Sequence, residues 1–360
     1  MKIVIKVGTQ AILAADGTAL KGAMPALVRQ IVELQQTGNH VVLVSSGAVS
    51  SGRRVAREAL GAEFGTSTGE KQVLASMGQP ELMAAYAKLF RPHGIATAQL
   101  LLTKQDFHTR KHYLNIARLL REVLSRKNII PVINENDSVA IEELMFTDND
   151  ELAGLIAAQL NADKLIILTS VNGVYDGNPS DAGTKLIATI DPEKDGWPKV
   201  STAKTTHGRG GMATKLGTAR KMSDLGITTH IAGMHEKDVI LRVLAKDPPG
   251  TVILPLKKKS NLKKWIAYSD GKKSGVIRVN APLFDILKDN SRVLSILPVG
   301  IKSFVGSFEK GDLVDIAAPD GSIIGMGIAR YGAEKLREYI GQKGKPEFIH
   351  YDHLHIKTGS

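Results

Sequence analysis

Seven carboxylate and amide side chains fall in two short runs, Asn134 to Asp137 and Asp148 to Asp150: Asn134, Glu135, Asn136, Asp137, Asp148, Asn149 and Asp150. They follow an apolar run, Asn128 to Ile133 with Pro131 inside it, that reads as a buried strand. Ligands of open α/β sheets collect just beyond the carboxyl ends of such strands. Part of the cluster can serve as a helix cap, because Asn149-Asp150-Glu151 opens an apolar-periodic segment carrying Leu152, Leu155, Ile156 and Leu160. A cap needs one residue, not seven, and crowded like charges are costly without a partner. The cluster therefore reads as a ligand site.

Two lysines can supply the opposite charge. Lys6 stands at the exit of an alternating strand, Lys2 to Val7, that stops at Gly8-Thr9. Lys215 lies in the first turn of a helix marked by Leu216, Ala219 and Met222 and introduced by His207-Gly-Arg-Gly-Gly-Met-Ala-Thr-Lys215. Glycines just before a helix start aim backbone N–H groups and the helix dipole at one point, and a lysine there adds a full charge, which is a phosphate-site pattern. A glycine serving only as a cap belongs at the other end. Ser45-Ser-Gly-Ala-Val-Ser-Ser-Gly52, after the apolar strand His40 to Ser45, has the form of a loop that binds phosphate or carboxylate. Beyond a strand from Asp163 to Leu168, the turn-rich Thr169 to Pro179 reads as a nucleotide-facing loop. Lysines at separate element ends, with carboxylates and amides between them, suit phosphoryl transfer, where positioning and charge neutralisation do most of the catalysis. A carboxylate acceptor is already ionised at neutral pH and needs no general base, so a catalytic histidine is not expected.

These residues need a scaffold of alternating strands and helices. Leu27, Ile31 and Leu34 mark a helix ended by Gly38; Gln72 to Phe90 reads as a helix interrupted near Gly78 and Pro80; Ile95 to Leu102 reads as a strand. A long amphipathic helix is expected over Gln105 to Arg126, with Leu114, Leu120, Val123 and Leu124 on its apolar face. The alternation predicts an α/β three-layer sandwich, a mainly parallel central sheet with helices on both faces. A Pro-, Gly- and Lys-rich stretch at 246–264 reads as a boundary. After it come short alternating segments, Trp265–Tyr268, Gly275–Val279, Val314–Ala317 and Ile323–Ala329, separated by turns such as Pro319-Asp-Gly321. The expectation is a catalytic domain over 1–255, a basic linker over 256–264 and a small, mostly β, barrel-like domain over 265–360.

Composition narrows the partners. The chain has 360 residues, a net charge of +11 and no cysteine, which rules out disulfides, thiolate metal sites and cysteine nucleophiles within it. Residues 256–360 hold 18 Lys and Arg against 11 Asp and Glu, so the carboxyl-terminal third is the basic part and the place for an anionic partner such as nucleic acid. No apolar run approaches a membrane span, and the amino terminus lacks a signal peptide's apolar core, so a soluble, cytoplasmic chain is expected. Gly271-Lys-Lys-Ser274 fails as a Walker A loop at two positions, and no GxGxxG follows a strand. His108 and His112 form a helical i, i+4 pair without an acidic third ligand and read as surface residues. His350, His353 and His355 read as residues of a strand. No protein metal ligand is assigned.

Taken together, Lys6-Val-Gly-Thr9, Ser45-Ser-Gly-Ala48, Pro131-Val-Ile-Asn-Glu-Asn-Asp137, Asp148-Asn-Asp150 and Gly210-Gly-Met-Ala-Thr-Lys215 resemble motifs of the amino-acid kinase family, over essentially the whole chain. The Asn-Glu-Asn-Asp run is similar to the branch that phosphorylates the γ-carboxylate of L-glutamate, the first step of proline biosynthesis. The segment from Lys263-Lys-Trp-Ile266, with Leu297-Pro-Val-Gly-Ile-Lys302, resembles a PUA domain, a β fold of RNA-modifying enzymes. The resemblance implies that Ser46, Asp137 and Asn149 bind glutamate, with Gly47, Asn134 and Asp148 in the same pocket. An amino acid's ammonium needs a carboxylate such as Asp137, and its α-carboxylate needs N–H and hydroxyl donors such as Gly47 and Ser46. It further implies that Lys6 and Lys215 cradle the transferred phosphoryl group, with Asp150 orienting a lysine. Gly8, Thr169, Ser170, Tyr175, Arg209, Gly210, Gly211, Met212, Ala213 and Thr214 would then surround ATP with Mg²⁺. Ser170 stands where the family commonly has Asp, and Arg209 where it commonly has Thr. Proline as feedback inhibitor, a separate glutamyl-phosphate reductase as partner and a homo-oligomer are implied in the same way. The competing expectations are a kinase of the same fold acting on N-acetylglutamate, carbamate or aspartate, and an RNA-binding protein working through the basic third.

Overall fold

A computed structural model describes residues 1–14, 16–107, 110–140, 146, 148–179, 181, 183–198, 211–245, 248–256, 274–288 and 294–356. The chain divides into two compact units, one of Met1–Asp106 with Asn115–Lys258, the other of Phe107–Leu114 with Lys259–Ser360.

The first unit is built on β1 (Lys2–Val7), α1 (Thr9–Ile12), α2 (Ala23–Gln36), β2 (His40–Ser45), α3 (Ala48–Val55), α4 (Thr68–Phe90), β3 (Ala96–Leu102) and, from Asn115 on, α5 (Arg110–Leu124). It continues through β4 (Ile129–Glu135), α6 (Asn149–Leu160), β5 (Lys164–Thr169), β6 (Thr189–Ile190), α7 (Met212–Asp224), β7 (Thr228–Gly233), α8 (Val239–Arg242) and β8 (Thr251–Ile253). Its eight strands run in the order β3-β4-β2-β1-β5-β7-β8-β6, parallel throughout except for the antiparallel β7–β8 pair. This is the mainly parallel α/β sheet expected from the alternation of elements. Along β1, Ile3, Ile5 and Val7 enter a core with Leu27, Ile31 and Leu34 of α2 and Leu82, Tyr86 and Phe90 of α4. The strand's period of two then turns Val4 and Lys6 to the opposite face. Both faces of β1 are buried, which is why its sequence is nearly all apolar.

Three elements differ from the sequence expectation. The helix read as broken at Gly78 and Pro80 is one unbroken 23-residue α4, opened by a capping box between Ser67 and Glu70. Gly78 is there for contact with α3: a Cβ on it would stand 1.9 Å from the Ala48 carbonyl oxygen, and one on Gly52 would stand 1.9 Å from that of Leu74. Pro80 removes a single backbone donor, and the helix continues through it. The run Ser45–Gly52 is mostly helix, because α3 begins at Ala48 and only Ser46-Gly47 forms the turn. Its small residues permit the close α3–α4 packing. We expect Gly78→Ala to lower unfolding stability by about 2 kcal/mol, read from chemical denaturation, since neither backbone at that contact can yield to a methyl group. Finally, α5 starts at Arg110 after a 3₁₀ turn over Lys104–Phe107, and Leu114 is exposed while Leu120, Val123 and Leu124 are buried.

The second unit holds β9 (Gly275–Val279), α9 (Ala281–Lys288), β10 (Ile301–Gly306), β11 (Leu313–Ala317), β12 (Ile323–Ile328), α10 (Ala333–Tyr339) and β13 (Leu354–Ile356). Its five strands run β10-β9-β11-β12-β13, antiparallel but for the β9–β11 pair. Ile277, Val279, Val314, Ile316, Phe308 and Phe348 form its core. The strand expected at Trp265–Tyr268 lies outside the described residues. Of the three carboxyl-terminal histidines only His355 is on a strand; His353 belongs to a 3₁₀ turn and His350 precedes it. His112 is exposed, and His108 lies outside the described residues. No described helix is long and apolar enough to cross a membrane.

Candidate active site

The site forms where β1, β2, β4 and β5 release their chains at the carboxyl edge of the sheet. Strand β4 runs two residues further than expected, to Glu135, so Asn134 and Glu135 are ladder residues, paired with Leu101 and Leu102 of β3. Its pairing with β2 covers only Leu43–Val132 and Val44–Ile133, just past Pro131, which has no N–H to offer.

Lys6 and Lys215 meet on one carboxylate. Lys6 Nζ lies 2.7 Å from Asp150 Oδ1, and Lys215 Nζ donates to Asp150 Oδ2 at 2.8 Å. All three are buried, with Asp150 fully so. Burial alone would raise the Asp150 pKa, but the charges of Lys6 and then Lys215 outweigh it and hold it at about 2. The group of three thus carries one net positive charge in a place with little water. Gly8 sits beside it with its N–H already bonded to Leu168 O at 3.3 Å, so what it contributes is space: a Cβ there would stand 3.4 Å from Lys6 Nζ.

Asp148 caps α6, its Oδ1 accepting from the N–H groups of Asp150 and Glu151, so the cap expected somewhere in the cluster is this residue. Its other oxygen accepts from the Thr214 hydroxyl at 2.7 Å, tying the start of α6 to the start of α7. Burial, and then the neighbouring charge of Asp150, push the Asp148 pKa up. Helix α7 begins after Gly211 with no side chain capping it, which leaves N–H groups of its first turn for an anion. Met212 is half-buried and Ala213 exposed; Arg209 and Gly210 lie outside the described residues. Thr169 ends β5, its carbonyl accepting from Met234 N; Ser170 is exposed and Tyr175 pairs with Leu186 in the turns beyond.

On the other side of the lysines, Asn149 Nδ2 donates to Ser46 Oγ at 2.7 Å and to Asn134 Oδ1 at 3.0 Å. Ser46 follows β2, whose last residue, Ser45, shares a buried 2.8 Å hydrogen bond with Tyr86. Gly47 has φ of +120°, a conformation that favours glycine, and a Cβ on it would meet Leu13 Cδ1 at 2.9 Å. Asp137 lies in the turn after β4 and lines a cavity of about 240 Å³ with Gln79, Asn136, Ser138 and Ala48. That is below the size of pockets for drug-sized ligands, about 300 Å³ upward, and suits a small metabolite. Glu135 lines the same cavity, and its Oε1 accepts from Phe146 N at 2.8 Å.

The structure therefore joins Lys6, Lys215 and Asp150 directly, and Ser46, Asn134 and Asn149 directly, with Asp148 and Thr214 linking the two helix starts. Two further residues, which the sequence patterns do not single out, stand beside them: Gln79, whose Oε1 accepts from Asn134 Nδ2 at 2.9 Å, and Lys104, 3.3 Å from Glu151. The only signal for Gln79 is a polar residue between Gly78 and Pro80 in an apolar helix. No group of three or more His, Cys, Asp or Glu among the described residues could hold a metal ion.

The sequence pattern of the amino acid kinase family matches residues 1–233, and that of the PUA domain matches residues 286–346. The chain is 44% identical over 356 residues to glutamate 5-kinase of Chlorobaculum tepidum, covering 99% of this chain and 97% of that protein. It is 42% identical over 360 residues to glutamate 5-kinase of Bacteroides thetaiotaomicron, covering 99% and 98%. Against the Caldanaerobacter subterraneus glutamate 5-kinase the identity is 37% over 370 residues, covering 98% and 97%. The chain belongs to the amino acid kinase family, in its glutamate 5-kinase branch, and carries a carboxyl-terminal PUA domain.

Proposed function

We propose that this protein transfers the γ-phosphoryl group of ATP to the γ-carboxylate of L-glutamate, the first step of proline biosynthesis. The observation that carries the reading is the pair of buried lysines held on Asp150, whose neighbour Asn149 bonds Ser46 and Asn134, while Asn134 bonds Gln79, which lines the cavity together with Asp137. An ionised γ-carboxylate attacks the γ-phosphorus, a new P–O bond forms as the bond to ADP breaks, and no proton has to move. The barrier is mostly one of bringing anions together. Lys6 and Lys215 lower it, since Asp150 cancels only one of their two charges and fixes where both point. Gly211 and the first turn of α7 hold the nucleotide's phosphates, with Gly8 leaving room beside Lys6. Asp137 takes the substrate's ammonium, while Ser46 and Gly47 take its α-carboxylate.

Mg²⁺ accompanies ATP in such chemistry and spreads the phosphate charge. Both oxygens of Asp150 face lysines, and both oxygens of Asp148 accept hydrogen bonds, so neither carboxylate fits as a direct metal ligand here. Phosphate oxygens and water fit better as its ligands. The product, an acyl phosphate, reacts readily with water, which favours a reductase that consumes it promptly and a cytoplasmic setting. Inhibition by proline, homo-oligomer formation and nucleic-acid binding by the basic second unit remain parts of the same proposal.

Trapping the acyl phosphate with hydroxylamine, with L-glutamate, N-acetylglutamate, carbamate and aspartate offered in turn, tests the acceptor. Glutamate should dominate. Asp137→Ala should raise the KM for glutamate by about 100-fold with little change in kcat, as expected for a lost charge-assisted contact to the ammonium. A better rate on N-acetylglutamate, which has no ammonium, would sink the assignment.

A further inference from the structure

Asn149 carries a buried Oδ1 with no hydrogen-bond partner among the described residues, while its Nδ2 donates to both Ser46 and Asn134. The orientation of these amides follows from a donor that cannot be reversed. The Glu135 backbone N–H donates to Asn134 Oδ1 at 2.9 Å, so that oxygen must face the strand, where it also receives Asn149 Nδ2. Asn134 Nδ2 is then directed to the other side, and Gln79 Oε1 accepts from it at 2.9 Å. Asn134 is 1% exposed and Gln79 8% exposed, so bulk water has little access to either end of this bond. Gly78, next to Gln79, packs against Ala48, the first residue of α3 just beyond the Ser46-Gly47 turn, and against Gly52 one turn further on.

We infer that Gln79 is a positioning residue for the acceptor amino acid. Through Asn134 it holds the Asn149 amide with Oδ1 turned toward the ligand, and it leaves the Ser46 hydroxyl, already accepting from Asn149, with its proton to donate. The pair then presents one acceptor and one donor, complementary to an ammonium and a carboxylate. A ligand lacking either group leaves a buried polar atom unmatched, which is how such a site discriminates. Without Gln79 the Asn134 Nδ2 loses its partner, and it regains one only if both amides flip so that Asn134 Nδ2 donates to Asn149 Oδ1, which gives up the bond from the Glu135 N–H. This role rests on Ser46 and Asn149 being ligands of glutamate, as proposed above.

The test is steady-state kinetics on the full chain with Gln79→Met, which keeps the side-chain length and removes the strong acceptor. Gln79→Asn, too short to reach Asn134, gives a second reading should Gln79→Met lose its cooperative melting transition. The KM for glutamate should rise about tenfold, with kcat and the KM for ATP within about twofold of the parent. In an Asn149→Ala background the same substitution should add less than about twofold, because the two residues act through one chain of bonds. An unchanged glutamate KM, a loss confined to kcat, or a full tenfold effect persisting in the Asn149→Ala background overturns the role of Gln79 while leaving the function intact. Failure of the parent chain to phosphorylate glutamate overturns both.

Discussion

Asp150→Ala should reduce kcat by about 10³-fold and also destabilise the fold. The two effects have one cause. Lys6 and Lys215 come from different elements, β1 and α7, and Asp150 is the anion between them, at 2.7 and 2.8 Å. Without it two buried ammonium groups face each other with no counter-charge, a change that costs about 3–5 kcal/mol when one partner of a buried pair is removed. The lysines then separate or draw in water, and the aligned positive field at the transferred phosphoryl group is lost, an effect on the order of 10²–10³ in rate per misplaced stabilising group. Asp150→Asn keeps the volume and should retain more of the stability than of the turnover. The pH dependence has a definite sign. The folded-state pKa is depressed to about 2, so the carboxylate's contribution to stability is complete above the unfolded value, near 3.9, and is lost as pH falls from there toward about 2. The difference in Tm between the parent and Asp150→Asn should therefore be constant at neutral pH and shrink in that acid window. A difference that shrinks between pH 6 and 8 would contradict the charge state assigned here.

Lys215→Ala should lower kcat by about 10²–10³-fold while leaving the KM for glutamate within a factor of about three. Lys215 sits in the first turn of α7 beside the uncapped helix start, bonded to Asp150 Oδ2. The acceptor-side bonds among Ser46, Asn134 and Asn149 do not pass through it. Its removal leaves the Lys6–Asp150 pair neutral overall, so the fold should tolerate it better than the loss of Asp150. Arginine should not restore activity, since a planar guanidinium cannot occupy the compact place of an ammonium against a carboxylate shared with Lys6. Initial rates at varied glutamate and ATP separate the outcomes: a raised glutamate KM with unchanged kcat would move Lys215 out of the transfer step.

Much of this site is legible in the amino-acid sequence. Charged residues at strand exits and glycines before a helix are local patterns, because a strand's end and a helix's start are set by a few neighbouring residues. Lys6, Ser46, the Asn134–Asp137 run, Asp148 to Asp150 and Lys215 stand out for that reason, as does the parallel sheet, from the period of its apolar residues. What local patterns miss are long-range contacts. Gly78 and Pro80 look like breakers in a local window, yet α4 runs through them because α3 packs within a methyl group's distance of Gly78. Similarly, the small residues after Ser45 look like a loop and form most of a helix. Propensity describes the isolated segment, and burial against a partner overrides it.

The sequence by itself determined which groups are present and on which element each one sits: two lysines, a set of carboxylates and amides, and an α/β frame to carry them. Only the tertiary structure decided how they pair. That Asp150 serves both lysines, that Asp148 is at once a helix cap and the partner of Thr214, and that Gln79 stands behind Asn134 all depend on segments 55 to 144 residues apart in the chain meeting within hydrogen-bond reach. Such meetings are fixed by helix packing and strand register, which no local run of residues encodes.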